Sequence, residues 1–174
     1  MVSIRRLIRR LLLSMITFVC VAPVIGQVAK TPDLSGTWKF NPALSAYAKN
    51  NTAMAKAIAE SIVIISSGES IEFHQSLGTG DNVTRTYRID GKEHLADVRH
   101  ADPVVIRGYS TAMWKGSTLV VEFRSHLDDP AHPNLVAPEA HVSEKWNLSS
   151  DGRVLTEKFE TSYGYKMTLV YEKQ

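Results

Sequence analysis

Two charged residues stand where this chain alternates apolar with polar side chains. Val83, Arg85, Tyr87 and Ile89 share one parity, as do Val142, Glu144, Trp146 and Leu148. Residues two apart on a β-strand face the same side, so a half-buried sheet would turn Arg85 and Glu144 inward with their apolar neighbours. A charge in that position is costly unless it is paired or holds something. Two chemistries follow: a structural ion pair, or a polar anchor in a cavity, with Arg85 meeting the anionic end of a ligand. Histidines supply a second set. His126, Asp128, Asp129 and His132 fall within seven positions, followed by His141, and His94, Asp97, His100 and Asp102 form a comparable run. Imidazoles and carboxylates can ligate a divalent metal, and a histidine beside an aspartate can act as a general base. Neither run has a helical HExxH or another fixed metal spacing, and both lie in polar, proline-containing stretches where solvated loop residues are the plain reading. A Gly-x-Ser-x-Gly elbow, a phosphate loop and a dinucleotide fingerprint are all missing from the sequence. No metal and no cofactor are expected.

The elements that must hold these residues are mostly strands. Thr37 to Phe40 reads as a first strand after Gly36. Pro42 to Ser61 is rich in alanine at helical spacing, broken at Asn50-Asn51-Thr52, which predicts a pair of short helices. From Ile62 the period changes to two. Alternating runs then recur to the C-terminus, separated by Gly68-Glu69, Leu77 to Asp81, Asp90-Gly91, Lys115 to Ser117, the proline-bearing stretch 128–138, Ser150 to Gly152 and Tyr163-Gly164. This gives about nine or ten sequential strands, which excludes a parallel βαβ sheet. Sequential antiparallel strands in a chain of this size most simply hide their edges by closing into an up-and-down barrel.

The charge balance belongs in part to a segment outside that domain. The 174 residues hold 20 Lys and Arg against 18 Asp and Glu, a net +2. Arg5, Arg6, Arg9 and Arg10 precede an apolar run, Leu11 to Val21, and Pro23 and Gly26 follow it, with no acidic residue before position 27. This is the layout of a secretory signal peptide, with cleavage expected after Gly26. The run is too short for a spanning helix, which needs about 20 residues, so no stable membrane span is expected after cleavage. Without its four arginines the balance is 16 against 18, or −2, which argues against a nucleic-acid partner. The lone Cys20 leaves with the same segment, so a mature domain spanning 27–174 has no disulfide or thiolate chemistry. Export to the periplasm or the extracellular space is expected.

Gly36-Thr37-Trp38 at the head of an exported barrel resembles the Gly-x-Trp opening of the lipocalins. A strand, a helical pair and then a meander is similar to the layout of the fatty-acid-binding proteins, and Leu169-Val170-Tyr171-Glu172-Lys173 resembles their last strand. Together these point to the calycin superfamily. The chain also resembles small exported bacterial proteins that begin Leu-Ser-Gly-Thr-Trp and end Val-Tyr-Glu-Lys. The resemblance implies that the helical pair lids the barrel, that Trp38 plugs the closed end and that Tyr171 reaches the ligand. The fatty-acid-binding family also carries an arginine two residues before that tyrosine, where this chain has Leu169. The expectation is thus an all-β, lipocalin-like antiparallel barrel binding a small, partly hydrophobic molecule. Arg85, Tyr87, Phe123, Glu144, Trp146, Met167 and Tyr171 are its expected ligand contacts. The alternative is a small barrel enzyme, an isomerase, cyclase or hydrolase, using His126 with Asp128 near the mouth.

Overall fold

The computed structural model describes residues 31–49, 51–100, 105–125 and 140–174. The expected signal peptide with Cys20, Asp102, and the stretch with His126, Asp128, Asp129 and His132 lie outside the described residues, as do the side chains of Asp97 and His100.

Ten antiparallel strands close into a barrel in sequence order, β10 returning to β1. They are β1 (Gly36–Phe40), β2 (Ala59–Ser66), β3 (Ser70–Leu77), β4 (Asn82–Arg88), β5 (Glu93–His100), β6 (Val105–Lys115), β7 (Thr118–Ser125), β8 (His141–Leu148), β9 (Val154–Thr161) and β10 (Lys166–Lys173). Closure rests on three pairs, Trp38↔Lys173, Lys39↔Glu172 and Phe40↔Tyr171. Alternation does the rest: on β2, Ile62 and Ile64 are buried while Val63 and Ile65 face out, and on β7, Leu119, Val121 and Phe123 share the inner face. Closure leaves no strand at an edge, so each has a neighbour on both sides. Turn chemistry sets the register. Gly116, between β6 and β7, takes a φ of +63° that a side chain would oppose.

The helical segment is shorter than its alanine content suggests. One helix, α1 (Thr52–Ala57), precedes β2. The backbone from Pro42 to Leu44 turns instead, because the Asn41 side chain accepts the Ala43 N–H at 3.0 Å and the Leu44 N–H at 3.3 Å. Ala46 then forms a bridge with Thr168 on β10, with two 2.8 Å bonds. Asn41 and β10 thus take up the backbone groups that a first helix would have used. Ala59 to Ser61, expected as helix, begin β2, because the ladder with β3 reaches Ala59↔Leu77. Helix propensity gives way to a ready sheet partner. The Asp90-Gly91 turn also differs from a tight hairpin. Only Val83, Thr84 and Arg85 of β4 pair with β5, and the Gly91 N–H goes to Ala112 O on β6 at 3.0 Å.

Trp38, Trp146, Tyr87, Tyr171 and Phe73 are the largest fully buried side chains. Their bulk is accommodated by small inward residues on β5 and β6: Ala96, Gly108, Ser110 and Ala112. Trp38 donates its ring N–H to Leu34 O at 2.9 Å, and the Lys173 ammonium stands 5.3 Å from its ring centroid. Those two residues cap one end of the core.

Candidate functional site

Inside the barrel, on the side of α1, lies a cavity of about 330 Å³. Its wall is largely apolar. Ala57, Ile58, Leu77, Val98, Phe123, Val142, Phe159, Met167 and Leu169 line it with Tyr87 and Tyr171. Arg85, Glu144 and Glu157, with Gln75, form the polar part.

Arg85, Glu144 and Glu157 are each placed by a strand's inward parity. Arg85 lies opposite Phe73 on β3, Glu144 opposite Phe159 on β9, and Glu157 opposite Trp146 on β8. Glu144 and Glu157 are therefore diagonal neighbours on one face. The Arg85 Nη1 donates to Glu144 Oε1 in an ion pair whose side chains are 11% and 2% exposed. The other Glu144 oxygen accepts the Trp146 ring N–H at 3.0 Å. The guanidinium lies 5.5 Å from the Phe73 ring centroid and 5.9 Å from that of Tyr87, within cation–π range. Its Nε is buried and has no partner among the described residues. Phe73 in turn lies 4.9 Å from Trp146, and Trp146 stacks with Tyr171 at 6.4 Å, so an aromatic floor supports the charged pair.

Burial and charge shift the protonation of these groups. Burial works against the Arg85 charge, but Glu144, Tyr87 and Glu157 outweigh it and raise its pKa. Glu157 is pushed up to about 8, first by burial and then by the Glu144 charge, against the pull of Arg85 and Tyr171. It is mostly protonated at neutral pH. Tyr87 and Tyr171 both rise, chiefly through burial, and stay neutral. The Tyr171 hydroxyl donates to Glu157 Oε2 across a long 3.5 Å.

Six of the expected contacts, Arg85, Tyr87, Phe123, Glu144, Met167 and Tyr171, line the cavity. Trp146 sits beneath it, wholly buried, holding Glu144 rather than facing the space. Position 169 keeps an inward side chain but contributes only a leucine, and the barrel's interior cation comes from Arg85 instead. Glu157 is the residue that sequence reading missed. Leu155, Glu157 and Phe159 alternate just as Val142, Glu144 and Trp146 do, so the same signal was present. His94 lies apart from this site; its ring pairs with Asp90 at 2.9 Å. That contact and the Lys92 N–H lower the Asp90 pKa, the backbone bond most.

The sequence matches no family model and no curated protein. Solved structures do match. A fatty acid transporter, REP1-NXSQ, superposes with a TM-score of 0.51 at 13% identity, over 82% of this chain and 96% of that one. Fatty-acid-binding protein 1 of Echinococcus granulosus superposes with a TM-score of 0.50 at 9% identity, over 80% of this chain and 96% of that one. At such identities the likeness establishes the fold alone, an antiparallel up-and-down β-barrel with a small helix between its first two strands.

Proposed function

We propose that this protein is an exported carrier or receptor for a small, partly hydrophobic molecule held inside the barrel. The observation that carries the reading is the cavity itself: about 330 Å³ of mostly apolar wall with a few polar groups, among them Arg85, Glu144 and Glu157. Ligand sites have this composition, an apolar enclosure with a few placed polar groups, and this one lies at the small end of the usual range of about 300–1,000 Å³. An idle cavity of that size would cost stability, because its lining loses contacts on one side. The ligands named for the two similar barrels, fatty acids, support a lipophilic occupant. Export rests on the basic and apolar N-terminal segment, which has the layout of a secretory signal peptide. Among the described residues no helix is long and apolar enough to cross a membrane.

Titration with an uncharged fluorescent lipophile such as N-phenylnaphthylamine tests the reading. Saturable binding at one site per chain is expected, with energy transfer from Trp146 beneath the cavity. A probe that shows no saturable binding to the folded protein, or that binds without changing tryptophan emission, would overturn it.

A further inference from the structure

The cavity carries more acid than base. Arg85 is already committed to Glu144, and the second Glu144 oxygen is committed to Trp146. Glu157 is 3% exposed and lines the same space, yet among the described residues its one hydrogen bond is the long contact from Tyr171. It is a buried carboxyl whose nearest cation, Arg85, is shared with Glu144, to which Arg85 is hydrogen-bonded. Buried carboxyls otherwise find a partner or coordinate one.

Resting on the reading of the barrel as a binding protein, we infer that its ligand is an amphiphile with a protonated amine head seated against Glu157. A carboxylate head would add a further acid beside Glu144 and Glu157, and Arg85, whose Nη1 is held by Glu144, has an unpartnered Nε–H among the described residues but no second charge to offer it. Among the described residues the one interior guanidinium already has its counter-ion, and splitting a buried pair is unfavourable. An ammonium instead offers up to three donors to the carboxyl oxygens and the counter-charge that Glu157 needs once it gives up its proton. The groups facing Glu157 are Arg85 and Tyr87 from β4, Glu144 from β8 and Tyr171 from β10. The tyrosines stay neutral and Arg85 stays charged, so the proton that leaves when the amine binds comes from the Glu157 carboxyl and goes to solvent. Amine binding therefore releases a proton and strengthens as pH rises from about 6 to about 9, where Glu157 ionises in the empty protein.

Decylamine, decanol and decanoate differ only in the head and would each be used to displace the uncharged probe. At about pH 8, decylamine is expected to bind at least about tenfold tighter than decanol, with decanoate weakest. Calorimetry in two buffers of different protonation enthalpy should show proton release with decylamine alone. In E157Q, which reproduces the neutral carboxyl in shape, decylamine should fall to the affinity of decanol and release no proton. Equal or better binding of decanol or decanoate, or an amine preference that survives E157Q, would overturn the inference while leaving the carrier reading intact. Failure of the uncharged probe itself to bind would remove the carrier reading first.

Discussion

At the scale of single residues, the interior charges form one coupled unit whose parts differ in what they tolerate. Arg85 and Glu144 neutralise one another, so removing one strands the other in a space almost closed to water. R85M is expected to cost about 3–5 kcal/mol in chemical denaturation. The double variant R85M/E144Q should recover most of that, because the glutamine is neutral and keeps an oxygen for the Trp146 N–H. A double variant no more stable than R85M would show that packing, not charge, sets the cost. Glu157 behaves in the opposite sense. Its pKa is raised from 4.5 in the open chain to about 8 in the barrel, so between those values the native state holds a proton that the unfolded state has lost. Its contribution is fully present below the lower value and disappears as pH climbs through the upper one, with a slope of up to about 1.4 kcal/mol per pH unit. E157Q should flatten the stability profile over that range, measured by urea midpoints across pH. A profile that keeps its slope in E157Q would assign the titration to another group. Arg85 and Glu144 could be found in the sequence because each interrupts an apolar parity. What the sequence does not carry is the distance between β4 and β8, which decides that the two meet each other rather than two separate ligand atoms.

At the scale of elements, strand parity was readable almost throughout, and of the two expected helices only the second, α1, forms. Ile62 with Ile64, and Leu119 with Val121, declare an inner face because only one face of a closed sheet is dry. The alanine-rich stretch after Pro42 has no such protection. Its outcome depends on Asn41 and on Thr168, which lies more than a hundred residues away and supplies a bridge. The same dependence on distant partners explains why β2 begins at Ala59. Strand β6 shows how an element shapes the cavity. Its inward positions are Gly108, Ser110 and Ala112, and a Cβ at Gly108 would lie 2.2 Å from Arg124 O and 2.6 Å from the Phe123 ring. The carbonyl belongs to the paired strand and cannot retreat far, so the ring or the ladder must move. G108A is expected to destabilise by about 1–3 kcal/mol and to weaken probe binding, since Phe123 lines the cavity. Unchanged stability with unchanged binding would mean that β6 and β7 separate here more easily than the ladder implies.

At the scale of the whole molecule, the fold depends on a closure between its first and last strands. All three pairs that join β1 to β10 use residues Tyr171, Glu172 and Lys173. Tyr171 is wholly buried against Phe40, at 5.7 Å between ring centroids, and Lys173 covers Trp38. Gln174 is exposed; its backbone N–H donates to Thr37 O at 3.0 Å and its side-chain amide to Glu172 O at 3.4 Å. Without residues 171–174, β1 would keep β2 as its neighbour but lose its other side, leaving Trp38, Phe40 and the aromatic floor open to water. In a barrel this opens two edges at once, because every strand's inner face packs on the same core. The loss should therefore be global rather than a frayed end. A chain ending at Val170 is expected to lose its near-ultraviolet circular dichroism, its single cooperative thermal transition and its probe binding together. A chain lacking Gln174 alone should keep all three, with stability lowered by less than about 1 kcal/mol. If the chain ending at Val170 kept a cooperative transition with native near-ultraviolet signal, the core would be able to stand on nine strands and a free β1. The cavity's shape would then not depend on the three closing pairs, which would serve only to cover the edge.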